Sequence, residues 1–273
     1  MNKRTLIVIT CLVLLAPTRF ATTTEKSSSK QKQDISITIL YDNYVFTEGL
    51  GSDWGFSCIL KGTEKTVLFD TGTKGELLLE NMEKLKVNPK DVELVVISHN
   101  HEDHTGGLLA FLEKNSNVAV YLPPSCSGSF VQDVKGTGAR VVTTDAPVEI
   151  CKGVHLTGPM GTKIIEQSMI LNTKEGTIVI TGCAHPGIVE IVRKSKAILP
   201  KDIHLVVGGF HLRRTSEVEL KHIIGEFRTL GVKKVGATHC TGDRAIQMFK
   251  RAYGPHFVQM GVGRTLKFEA TSE

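Results

Sequence analysis

From residue 35 onward, short apolar runs alternate with amphipathic stretches. Runs rich in Val and Ile fall at 36–41, 56–61, 66–69, 92–98, 118–122, 140–143, 177–181, 203–207 and 234–238, and each predicts a strand. Several are apolar at nearly every position, as expected of strands covered on both faces. Between them, apolar residues return at helical spacing. Leu78, Met82 and Leu85 do so in 74–86, Leu220, Ile223, Ile224, Phe227 and Leu230 in 216–230, and Ile246, Phe249 and Tyr253 in 243–253. Gly231 stands where the second of these helices should stop. No repeat and no linker interrupts the pattern, which predicts one α/β domain over 35–273.

The first 34 residues break this pattern. Lys3 and Arg4 precede an apolar run at 6–16, the length of a secretory signal and short for a membrane span. We expect a signal peptide over 1–21, with an uncleaved membrane anchor as the alternative. Cys11 lies too early for a lipoprotein signal. Residues 22–34 are polar and low in complexity and predict a flexible linker. The expected location is periplasmic or extracellular, with no stable membrane insertion after cleavage.

Composition then excludes whole classes. The chain has 273 residues, 41% of them hydrophobic, enough for a sizeable core and too many for a disordered chain. The 33 basic and 28 acidic residues give a formal charge of +5. Three of the basic ones, Lys3, Arg4 and Arg19, precede residue 22, so the remainder is close to neutral. Aromatics are 6%, with a single Trp, Trp54. Neither nucleic acid nor an anionic membrane surface is expected as partner. A small-molecule substrate, anionic groups included, is. After residue 21 the cysteines are Cys58, Cys126, Cys151, Cys183 and Cys240, an odd number at irregular spacing that suggests no disulfide framework. Cys58 and Cys151 read as buried thiols.

Candidate chemistry gathers at strand ends. The predicted strands at 92–98, 177–181, 203–207 and 234–238 each run through small residues to a histidine: His99, His185, His211 and His239. Ligands of α/β proteins collect beyond the carboxyl ends of strands, so shared direction in one sheet would bring four imidazoles to one edge. His155 and His204 lie in or before strand-like runs and do not fit. The first site is far more specific. Ser98-His99-Asn100-His101-Glu102-Asp103-His104-Thr105-Gly106-Gly107 places three imidazoles and the Asp103 carboxylate within six residues. An exposed turn has no packing use for them, and they are ligands suited to Zn²⁺, Fe or Mn. Alternation at 99 and 101 can aim two imidazoles one way, leaving 103 and 104 for a second ion.

On these residues the chain resembles the metallo-β-lactamase superfamily. That resemblance implies an αββα sandwich, two mixed sheets covered by helices, with a dinuclear metal site. It covers most of 35–268. Phe69-Asp70-Thr71-Gly72 matches the early strand–Asp–turn element, and Thr181-Gly182-Cys183 stands where most members have Thr-Gly-Asp with a bridging Asp. His239 matches the late ligand. Gly182-Cys183-Ala184-His185-Pro186-Gly187, Gly208-Gly209-Phe210-His211-Leu212 and Thr238-His239-Cys240-Thr241-Gly242 resemble the dihydropterin-aminobenzene-ribofuranosyl-phosphate synthase-like branch. Asp42-Asn43 and Glu166-Gln167 resemble it as well.

The resemblance implies that His99 and His101 bind one ion and that Asp103, His104 and His239 bind the other. His185 completes the first set in preference to His155. Cys183 is either a thiolate ligand or a buried thiol supporting its turn. Asp70 fixes a ligand imidazole. His211 is either a substrate-side acid or base, or a packing residue, and Arg213 and Arg214 follow it as anion contacts or as a solvated turn. The expected cofactors are two divalent ions, Zn first, with Fe or Mn as alternatives.

The implied function is hydrolysis of an ester, lactone or phosphoester by metal-bound hydroxide, with Asp103 orienting it. A transferase like the synthase is the alternative, against which the signal segment counts because pterin synthesis is cytosolic. An iron-dependent oxidoreductase and a non-catalytic metal-binding protein are the further alternatives.

Overall fold

The predicted strands pair into two sheets. The structure, a computed structural model, describes residues 34–271. The expected signal peptide and all but the last residue of the expected linker lie outside the described residues. In the first sheet β1 (Ile35–Tyr41), β2 (Ser57–Lys61), β3 (Val67–Phe69), β4 (Leu94–Val96), β5 (Ala119–Leu122) and β6 (Arg140–Thr143) follow one another, and β13 (Thr265–Phe268) closes the edge beside β1. In the second, β7 (Val148–Cys151), β8 (Val154–Leu156), β9 (Met169–Thr173), β10 (Gly176–Thr181), β11 (Ile203–Gly209) and β12 (Lys234–Thr238) lie in chain order.

Both sheets are mixed. Strands β3 to β6 pair in parallel, and so do β10 to β12, while the remaining pairs are antiparallel. The helices are α1 (Gly75–Lys84), α2 (Glu102–Thr105), α3 (Leu108–Lys114), α4 (Gly128–Gly136), α5 (Ile188–Ile198), α6 (Glu217–Thr229) and α7 (Asp243–Tyr253).

The continuous apolar runs are explained by which core each side chain enters. Along β4, Leu94 and Val96 join a core between the sheets, while Val95 joins one with Leu78, Met82 and Phe111 of α1 and α3. Along β10, Ile178 and Ile180 enter the inter-sheet core, and Val179 meets Ile191, Leu220, Phe227 and Phe249 of α5, α6 and α7. Side chains alternate across a strand, so a strand buried on both faces has no polar positions. The result is the expected order of layers: helices, sheet, sheet, helices. Burying a large aliphatic side chain contributes roughly 1.5–3 kcal/mol, and the three clusters together supply most of what opposes chain entropy.

The expectation of four histidines from one sheet is corrected. β10, β11 and β12 are parallel neighbours and carry His185, His211 and His239 beyond their ends. His99 follows β4, in the facing sheet. Among the described residues no helix is long and apolar enough to cross a membrane.

Candidate metal centre

The parallel part of each sheet ends at the same place, and the turns there carry the chemistry. β3 leads to Asp70, β4 to the 98–107 turn, β10 to Cys183 and His185, and β12 to His239. Two glycines permit the close approach. A Cβ at Gly107 would lie 2.2 Å from the Thr71 carbonyl oxygen, and one at Gly182 would lie 2.2 Å from Ser98 Oγ. The backbone is also strained there. Five non-glycine residues among those described have positive φ, and four of them are Asp70, Ala184, His211 and His239. Such residues cost about 1–3 kcal/mol each and persist where surrounding structure enforces them.

Seven donor groups converge into two clusters. His99, His101 and His185 form one, and Asp103, His104, Cys183 and His239 form the other; within each, the donor atoms lie within 4.8 Å of one another. Cys183 Sγ is 3.2 Å from His104 Nε2 and 3.5 Å from His239 Nε2. Asp103 Oδ2 lies 3.6 Å and 3.3 Å from the same two nitrogens. His99 Nε2 and His101 Nδ1 are 3.1 Å apart. The His185 ring packs edge-on against both His99 and His101.

Second partners set the tautomers. Asp70 accepts from the Ser98 backbone N–H, from Ser98 Oγ and from His104 Nδ1, each at 2.7 Å. Ser98 Oγ, having given its proton to Asp70, accepts from His99 Nδ1 at 2.9 Å. Asn43 Oδ1 receives the Gly55 N–H and His239 Nδ1. In all three imidazoles the outer nitrogen therefore carries a proton. The inner Nε2 is left to offer a lone pair, the arrangement metal-ligating histidines use.

Glu166 organises the next turn. Its carboxylate accepts three successive backbone N–H groups, from Cys183, Ala184 and His185, at 2.8–2.9 Å. The His185 Nε2 is buried and has no hydrogen-bond partner among the described residues. An orphaned buried nitrogen is costly, and a cation shared with His99 and His101 would satisfy it. The donor set, imidazoles with one carboxylate and one thiol, suits a borderline divalent ion. The residues present fit such ions.

Electrostatics agree with that fit. Burial, then the neighbouring imidazoles, hold His99 far below its usual range, and the same causes bring His185 down to about 4. Both are neutral, as ligands must be. Burial pushes Asp103 up, but hydrogen bonds from His104 and His239 outweigh it and hold the carboxyl well below its usual range. Burial alone would lower His104; the carboxylates of Asp70 and Asp103 outweigh it and lift the ring to about 10. A divalent ion at Nε2 would take the place of that proton.

The structure brings together His99, His101, Asp103, His104, Cys183, His185 and His239, with Asp70 and His211 against them. His211 is exposed and stacks at a ring distance of 4.3 Å from His185. Asp70 holds His104. Cys183 lies between His104 and His239 rather than off to one side. His155 lies within β8, 3.9 Å from Glu149, and takes no part.

In the sequence Ser98, Asn43 and Glu166 stand out only as parts of motifs; their work as anchors depends on contacts between distant segments that spacing does not reveal. Two further residues stand at the site without a role expected from the sequence. Cys240 groups with Cys183 and His211, their donor atoms within 4.8 Å of one another, and its signal was adjacency to His239. Trp54, the sole tryptophan, lies 5.0 Å from the His239 ring, with the Arg213 guanidinium 5.8 Å over its own ring.

Comparison with known proteins places this geometry in a family. Residues 55–220 match the sequence profile of the metallo-β-lactamase superfamily. The chain belongs to that superfamily. Among superfamily members of solved structure, a metal-dependent hydrolase is 31% identical, with a TM-score of 0.71, over 86% of this chain and 99% of its own. The 7,8-dihydropterin-6-methyl-4-(β-D-ribofuranosyl)-aminobenzene-5'-phosphate synthase of Methanocaldococcus jannaschii is 28% identical over 285 aligned positions, 86% of this chain and 97% of the relative. A metallo-β-lactamase fold protein of Bacillus subtilis shares the fold at 13% identity, with a TM-score of 0.63 over 86% of this chain and 99% of its own. The superfamily membership and these relatives make the protein an enzyme of a metal-dependent class.

Proposed function

We propose that the protein is a hydrolase that uses two divalent ions, zinc foremost, to cleave an ester, lactone or phosphoester-type small molecule. The observation that carries this reading is the convergence of seven donors in two adjoining clusters, with three imidazoles oriented from behind. When bound, the ions supply Lewis acidity, a water of lowered pKa and a clamp for developing negative charge. The chain's own residues do the rest. His99, His101 and His185 hold one ion; Asp103, His104, Cys183 and His239 hold the other. Asp103 faces both His104 and His239 and is placed to orient the attacking group. His211, exposed beside His185, is placed to pass a proton to the leaving atom.

A second reading is favoured by one comparison. The synthase relative aligns over 86% of this chain, and its name marks a synthase rather than a hydrolase, which favours a transferase as the alternative. One experiment separates the two. Metal-loaded protein is offered a panel of esters, lactones, thioesters and phosphodiesters, with metal content measured in parallel on wild type and His101→Ala. The expected outcome is cleavage of at least one class and loss of both metal and activity in the variant. Retention of metal and activity in His101→Ala overturns the site assignment. A metal-loaded protein that cleaves none of the panel overturns the hydrolase reading.

A further inference from the structure

Beside the centre lies a cavity of about 250 Å³ that shares His185 with it. His185 and His211 form part of its lining, Ile188 and Val189 of α5 and Ile223 of α6 another part, and Glu190 and Glu219 are its only carboxylates. No lysine or arginine lines it. Arg193 lies 3.7 Å from Glu190 and is already engaged by Glu226. Its lining therefore holds two carboxylates and no fixed cation. Its floor is fixed by the α5–α6 core, where Ile188 and Ile223 are buried. The surroundings of His239 differ, because there Arg213 lies over Trp54.

We infer that this cavity receives an apolar, non-anionic arm of the substrate and that Val189, Ile223 and Glu219 decide which arms are accepted. The inference rests on the centre acting on a small molecule, as proposed above, and it narrows the class. An apolar arm gains by leaving water, whereas an arm ending in phosphate or carboxylate meets the like charge of two exposed glutamates at the rim. Pockets of this kind use apolar walls for affinity and a few polar groups for selection. A substrate with an anionic group is expected to direct it away from this flank.

The test reads binding directly, without turnover. Metal-loaded protein with labelled isoleucine methyls is titrated with N-hexylacetamide and with its carboxylate-ended counterpart, 6-acetamidohexanoate. We expect the neutral probe to shift the Ile188 and Ile223 methyls and to bind at least tenfold more tightly than the anionic one. Val189→Trp, at a partly exposed position on α5, is expected to weaken the neutral probe at least tenfold. Glu219→Lys, fully on the surface, is expected to narrow the gap between the probes at least threefold. Unshifted methyls, or equal binding of both probes to wild type, overturn the inference. Probe binding in a protein that cleaves nothing would leave the cavity assigned and remove the hydrolase reading. Ester cleavage without probe binding would do the reverse.

Discussion

Asp70 accepts three hydrogen bonds in a fully buried position, two from Ser98 and one from His104. Asp70→Asn keeps the volume but replaces one acceptor oxygen by a donor, which then faces either His104 Nδ1–H or Ser98. We expect metal affinity to fall about 10–100-fold, in line with other residues behind metal ligands, and stability to fall by about 1–3 kcal/mol for the unpaired buried donor. Metal titration and thermal melting check the two parts separately. Cys183 lends itself to a different test. Cys183→Ser, loaded with Co²⁺, is expected to lose the sulfur-to-cobalt charge-transfer absorption and to shift preference from zinc toward harder ions. An unchanged spectrum and preference would make Cys183 a supporting thiol only.

At the level of elements, the glycines of the first turn and the helices behave oppositely. Gly107→Ala drives a methyl into the Thr71 carbonyl, and we expect a loss of about 1–3 kcal/mol, the usual cost of overpacking. Gly225 sits in α6 with nothing near its missing Cβ. Gly225→Ala should stabilise by about 0.5–1 kcal/mol. Denaturant unfolding of both variants gives the check, and a sign reversal in either would contradict the packing described.

The same local physics governs what the sequence revealed. Helices α1, α6 and α7 were legible because their buried residues recur at three and four. α5 carries that spacing too, in Ile188, Ile191 and Val192, and was open to the same reading. The strands that escaped are β7 and β13 at sheet edges, the three-residue β8, and the interior β9, whose apolar run at 169–171 is only three residues long. In β7 two of four residues are exposed, and β13 offers only Leu266 and Phe268 to the core. β4 is shorter than the apolar run that announces it: Val92 and Glu93 precede it, and after Ile97, which still donates to Tyr121 of β5, the chain turns at Ser98 toward the metal-site turn.

For the whole molecule, legibility divides between ligands and supports. His99, His101, Asp103 and His104 were marked by residue type within one turn, and His185 and His239 by position at strand ends; Cys183 entered only through the family resemblance, as one of two readings. The supports that orient them were not, because Asn43 reaches His239 across 196 residues and Glu166 reaches Cys183 across 17. Asp42 illustrates the same long reach with a measurable signature. It follows β1 in the first sheet, and Thr238, the last residue of β12 in the second, donates to its Oδ2 at 2.6 Å. Burial pushes this carboxyl up to about 6, against the lowering effect of that bond. Between about pH 4 and pH 6 the folded chain then holds a proton that the unfolded chain has lost. Stability from this group is greatest below pH 4 and falls as pH rises through 6. Asp42→Asn removes the dependence and should gain about 3 kcal/mol relative to wild type at pH 7, shrinking toward zero near pH 4. Unfolding free energies of the two proteins across that range, with chelator present, are the measurement. A constant difference would contradict the assignment.

Neither sheet carries a full set of donors. Of the first cluster, His99 and His101 follow β4 while His185 follows β10; of the second, Asp103 and His104 face Cys183 and His239 from across the sandwich. Severed between residues 143 and 148, the chain would yield fragments that each hold at most two donors of either cluster, too few to grip an ion well. An ion held tightly is therefore a report that both leaves have closed on each other. Affinity for the cation becomes a gauge of how completely the book is shut.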